Sequence, residues 1–124
     1  MKRAMIGGLV ALTLAVPGVA SADSNEVRRA GDCSIRSDWE LRVKDEGRTL
    51  RVLWRVNSRI EDQIWQLTLA HNGEQIARAT RVVNGKGTAT LERRDIPDQP
   101  GPDQFSGTAT STPRGETCEG SATI

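Results

Sequence analysis

Few residues in this 124-residue sequence have the types and spacing that chemistry requires. His71 is the single histidine. It stands beside Asn72-Gly73, a pair that tolerates the positive φ angles of a tight hairpin turn, so it is expected at an exposed hairpin end. A metal site needs further donors, and a Ser-His-Asp triad needs a serine held on a sharp turn. Neither a second histidine nor such a serine motif is present. Acidic residues recur in short groups, namely Asp45-Glu46, Glu61-Asp62, and Asp95, Asp98 and Asp103. Calcium takes about six to eight oxygen ligands, but the last group matches no calcium loop and its prolines stiffen it. No carboxylate pair is set out for acid–base work. The expectation is a non-enzymatic protein that uses no metal or cofactor.

Cys33 and Cys118 are the two cysteines. Their wide spacing suits a structural bridge in an oxidising compartment, joining the N-terminal region to the last strand. Arg51 and Arg55, with Arg42 and Lys44 on a neighbouring strand, form a basic stripe that could meet a sulfated or phosphorylated polymer. Glu40, Glu92 and Arg94 lie near enough to convert it into cross-strand ion pairs on a wet face, and that is the expectation. Gln66, Thr68, Gln104, Ser106, Thr108, Thr110, Ser121 and Thr123 are expected on one flat, uncharged, hydroxyl-rich face, with Gln66, Thr68, Thr108 and Thr110 as candidate contacts for a glycan or a partner strand. Arg114, in Thr112-Pro113-Arg114, would suit a trypsin-like pocket if the chain were a protease inhibitor, and Pro100-Gly101-Pro102 is the other protruding candidate.

These residues must be positioned by short strands. Lys2 and Arg3, the apolar run Ala4–Val16, the break at Pro17-Gly18 and the small residues Ala20-Ser21-Ala22 read as a signal peptide over 1–22. The run is too short for a helix to span a bilayer, for which about 20 residues are needed. No lipid-anchor cysteine follows it, so a secreted, extracellular chain without a stable membrane anchor is expected. Removing Lys2 and Arg3 leaves basic and acidic residues almost balanced, and nucleic acid is not expected as a partner. Beyond the leader, alternation of period two dominates. Trp39, Leu41 and Val43, then Leu50, Val52, Trp54 and Val56, face inward from one hairpin. Trp65, Leu67 and Leu69 form the next strand. The return strand Gln75–Val82 is read with Ala77 and Ala79 inward, which takes a loop longer than two residues; a two-residue turn would bury Ile76, Arg78 and Thr80. Ala89 and Leu91, Phe105 and Ala109, and Cys118 to Ile124 mark three more strands, with 95–103 as a long irregular crossing.

The result is an all-β, immunoglobulin/fibronectin-type two-sheet sandwich of about seven strands. The first, second and fifth strands fall in one sheet and the others in the second. Residues 23–32 are an exposed N-terminal segment, and 33–124 are a single β-sandwich domain, expected as a monomer. The strings Gly31-Asp32-Cys33-Ser34, Ser37-Asp38-Trp39-Glu40-Leu41, Leu69-Ala70-His71-Asn72-Gly73 and Gly115-Glu116-Thr117-Cys118 resemble a group of small secreted actinobacterial proteins of uncharacterised function. That resemblance implies export and the end-to-end disulfide, and no activity. The functional expectation is a secreted binding module for an envelope glycan or an extracellular protein; the alternative is an inhibitor of an extracellular hydrolase.

Overall fold

A computed structural model of the chain describes residues 25–124, so the expected signal peptide and its cleavage site lie outside the described residues. Eight strands follow one another: β1 (Glu26–Asp32), β2 (Asp38–Asp45), β3 (Thr49–Ser58), β4 (Gln63–His71), β5 (Glu74–Val83), β6 (Gly87–Pro97), β7 (Gln104–Thr112) and β8 (Thr117–Thr123). They form two four-stranded sheets, ordered β1-β2-β3-β6 and β5-β4-β7-β8, in the immunoglobulin/fibronectin-type sandwich that the alternation predicts. Among the described residues no helix is long and apolar enough to cross a membrane.

The eighth strand is β1. Residues 26–32, expected as an exposed segment ahead of the domain, pair with β2 from Glu26↔Lys44 to Asp32↔Asp38. Most of their side chains remain open to solvent, because the strand lies along a sheet edge and only Val27 packs against the core. Glu-Val-Arg-Arg-Ala-Gly-Asp carries no apolar alternation, so pairing is set by the neighbour β2 and not by its own pattern.

Two β-bulges correct the expected registers. In the β4–β5 hairpin the turn is the two-residue Asn72-Gly73, with His71 opposite Glu74. Ile76 is then an extra residue between the pairs Ala70↔Gln75 and Leu69↔Ala77. The bulge, and not a longer loop, brings Ala77 and Ala79 opposite Leu69 and Leu67 while Arg78 stays exposed. In β6 an extra residue between Arg93 and Ile96 faces Val52–Leu50, and Asp95 there has φ 57°. This returns Ile96 to the core and carries β6 as far as Pro97, so the crossing expected over 95–103 is shortened to 98–103.

The inward residues of both sheets meet in one core, in which Trp54, Trp65, Phe105, Leu41 and Leu50 are among the largest fully buried side chains. Each buried apolar side chain of this size stabilises the fold by roughly 1.5–3 kcal/mol relative to exposure. Trp39 and Trp54 pack with ring centroids 5.6 Å apart, and the Trp54 indole N–H donates to the Thr108 carbonyl at 3.0 Å. Space for both rings comes from glycines: a Cβ on Gly107 would lie 2.4 Å from Trp54, and one on Gly120 would lie 2.4 Å from Trp39.

Sheet edges expose unpaired backbone groups that invite foreign strands. Here one seam between the sheets is joined covalently by Cys33–Cys118, which links the end of β1 to β8 across 85 positions. At the other seam Arg81 Nε donates to the Thr90 carbonyl at 3.0 Å and Arg93 Nη1 donates to the Ile76 carbonyl, tying edge strands β5 and β6 together.

Candidate binding site

Successive antiparallel strands reverse direction, so alternate connections gather at one end of the sandwich. The connections 33–37, 59–62, 84–86 and 113–116 share the end that carries the disulfide. The turns 46–48 and 72–73 and the crossing 98–103 share the other.

The disulfide end is locked by hydrogen bonds between its loops. Glu116 is fully buried, and its Oε2 accepts from the amides of Ile35 (2.9 Å), Arg36 (2.5 Å) and Ser37 (2.7 Å). Burial alone would push the Glu116 carboxyl up. The hydrogen bonds from the Ser37 side chain and amide, then from Arg36 and Ile35, outweigh it and hold the group below the ordinary glutamate range. Ser34 and Thr117 are bonded twice, the Ser37 hydroxyl accepts from the Arg59 amide, and Asp62 accepts from the Gly85 amide at 2.7 Å. The Arg114 amide donates to Gln63 Oε1 at 3.0 Å, and the amides of Gly115 and Glu116 are turned back onto Ser111.

Upon this frame the side chains of Ile35, Arg36, Arg59, Ile60, Glu61, Lys86 and Arg114 surround an opening of ≈ 240 Å³. Arg59 is paired with Asp38 at 2.7 Å. Arg36, Lys86 and Arg114 form no ion pair among the described residues. The three exposed large apolar side chains among the described residues belong to the same end: Ile35 (46% exposed) in its first loop, and the facing pair Ile64 (40%) and Val82 (67%) where β4 begins and β5 finishes.

The outer face of the first sheet is charged and laced with ion pairs. Glu40 takes Arg28, Arg42 and Arg55, while Arg51 lies between Glu46 and Glu92. Burial by itself would raise Glu40; hydrogen bonds from Arg42 and then Arg55, reinforced by their charge, hold it below the ordinary range. The basic stripe is therefore a field of cross-strand ion pairs, as expected from the neighbouring glutamates.

The outer face of the second sheet presents the expected hydroxyls in register, Gln66 opposite Thr110 and Thr68 opposite Thr108. It is not uncharged: Arg78 lies opposite Thr68 and Glu119 opposite Thr108, and both are exposed. A shallow hollow of ≈ 300 Å³ runs between Ser106, Thr108, Glu119 and Ser121 above the paired Gly107 and Gly120. Arg114 is apart from this group, in the connection after β7.

At the opposite end the expected solvated histidine is corrected. His71 is 5% exposed, its ring stacks on Phe105 with centroids 4.4 Å apart, and Nε2 lies 2.8 Å from Oδ1 of the equally buried Asp103. The reason is positional: His71 is the last residue of β4 and points inward, while Asp103 is anchored by mutual backbone bonds with Ile124. Asp103 therefore belongs to a buried polar pair with His71. Its carboxyl, hydrogen-bonded to Asp98, pushes Asp98 above the ordinary aspartate range. Among the described residues no group of His, Cys, Asp and Glu is placed to hold a metal ion.

Sequence reasoning singled out Arg114 at the disulfide end but missed Arg36, Arg59, Lys86 and Glu116. The signal was the alternation of turns, since connections two strands apart must share an end. Comparison of the chain with protein-family models, with curated proteins and with solved structures found no match.

Proposed function

We propose that this chain is an exported, non-enzymatic binding module that engages an extracellular macromolecule through the disulfide end of its sandwich. The observation that carries the reading is the coincidence there of cations without ion pairs and exposed apolar side chains around loops that are bonded to one another. Preorganised loops at one end of a rigid sandwich lose little conformational freedom on binding. The Cys33–Cys118 bridge suits an oxidising, extracellular setting.

An inhibitor acting through a substrate-like segment is less well supported. Such a segment offers its amides to the enzyme, whereas those of Ile35, Arg36, Ser37, Arg114 and Gly115 are all engaged by this chain.

The test is affinity capture by the immobilised, oxidised chain from the producing organism's culture supernatant and solubilised envelope. One dominant, competable species should be retained, and the variant Arg36→Glu with Arg114→Glu should lose it. Thr108→Lys with Thr110→Lys should retain it. If the hydroxyl-face variant loses binding and the loop variant does not, the site lies on the sheet and this reading is wrong.

A further inference from the structure

The chemistry of the disulfide end narrows what it recognises. We infer that it takes up an acidic segment of a partner protein, whose carboxylates meet Arg36, Lys86 and Arg114 while an apolar anchor of the segment packs on Ile35 and Ile60. The inference rests on the binding-module reading of the same end.

Three observations carry it. First, the arginines on the outer face of the first sheet are engaged by carboxylates, Glu40 alone meeting three of them, whereas Arg36, Lys86 and Arg114 stand around one opening without an ion pair, beside the carboxylate Glu61. Unpaired cations that share a rim raise the local concentration of anions and favour a complementary partner. Second, the opening of ≈ 240 Å³ lies below the roughly 300–1,000 Å³ usual for small-molecule sites, so it fits one inserted side chain better than a whole ligand. Third, the lining includes Ile35 and Ile60, and the exposed Ile64 and Val82 face each other at the same end, where β4 begins and β5 finishes. Arginine beside desolvatable apolar surface is the composition of protein–protein contact centres. A sulfated or phosphorylated glycan would use the cations and leave the isoleucines unused.

The loops cannot easily reshape to suit a different partner. Glu116 holds residues 35–37 by their amides, so Arg36 and Ile35 leave the frame in fixed directions. That rigidity makes a defined, short segment the fitting occupant.

The experiment is an NMR titration of the oxidised, exported chain with three probes: a short peptide of Asp and Glu carrying central leucines, the same peptide with those leucines replaced by serine, and a heparin-derived oligosaccharide. The leucine peptide should shift the amides of Ile35, Arg36, Ile60 and Lys86. Its affinity should fall about tenfold between low and near-physiological salt, as expected for exposed charges. The serine peptide should bind at least about fivefold more weakly, since it lacks the buried apolar groups. Ile35→Ser and Arg36→Glu should each weaken the leucine peptide without altering the melting temperature. Shifts at these amides from the oligosaccharide but from neither peptide would overturn the acidic-protein inference and leave the binding end intact. Equal binding of the two peptides would remove the apolar anchor. No shift at this end from any probe would overturn both the inference and the reading beneath it.

Discussion

Glu116 shows how a single buried carboxylate can organise a surface. It has no exposed area, and its charge is tolerated because the amides of residues 35–37 converge on it. Its folded pKa is depressed, so its stabilisation is present above the ordinary glutamate range and is lost as pH falls through the folded value. Glu116→Gln should therefore cost about 1–3 kcal/mol near neutral pH, the range for leaving buried donors poorly satisfied. Thermal melts of wild type and variant should converge as the pH is lowered below about 4. A gap that stays constant with pH would mean that shape and not charge holds the loop. At the same scale, Gly107→Ala and Gly120→Ala should each cost about 1–3 kcal/mol, because the new methyl would overlap an indole ring, that of the fully buried Trp54 or the half-buried Trp39.

At the scale of elements, the two seams of the sandwich are closed by different means, and each closure is open to test. Cys33–Cys118 constrains a segment with a sequence separation of 85. Loop entropy for that span is worth about 4–5 kcal/mol, so Cys33→Ser should lower the melting temperature by roughly 20 °C. An unchanged melting temperature would mean the bridge contributes nothing to folding. Strand β1 is the second case. It pairs along the whole of β2, and Gly31 gives Trp39 the room that a side chain would deny it. A chain beginning at Cys33 should melt lower and show faster hydrogen exchange in β2, whose outer amides would lose their partners. Equal exchange in the two chains would place the domain boundary at Cys33 after all.

For the whole molecule, the exposed large apolar side chains gather at one end. The disulfide end carries Arg36, Arg59, Lys86 and Arg114 beside Asp38, Glu61 and Asp62, together with the exposed Ile35, Ile64 and Val82. The opposite end carries Asp45, Glu46, Glu74 and Asp98, with His71 and Asp103 buried beneath. Arg36→Glu with Arg114→Glu should leave stability within about 0.5 kcal/mol, as exposed substitutions do, while abolishing capture. A large fall in melting temperature would show instead that these side chains support the fold.

What the sequence determined by itself was the part governed by local repetition. Alternation of period two placed the inward faces of the strands, the asparagine–glycine and glycine-rich turns separated them, and the two cysteines closed the chain. The division of seven strands between two sheets followed from that order. What only the tertiary structure decided depended on partners distant in the chain. Residues 26–32 form a strand because β2 offers an unpaired edge, though their own pattern is silent. Ile76 and Asp95 take up register errors that no single strand reveals. His71 is buried because Asp103 and Phe105, more than thirty positions away, arrive beside it. Glu116 reads as one more loop acid until the amides of residues 35–37 converge on it from the far end of the chain. Side chains that repeat along a strand can be read one residue at a time, whereas polar groups that satisfy one another across the sandwich exist as pairs only once the chain has closed.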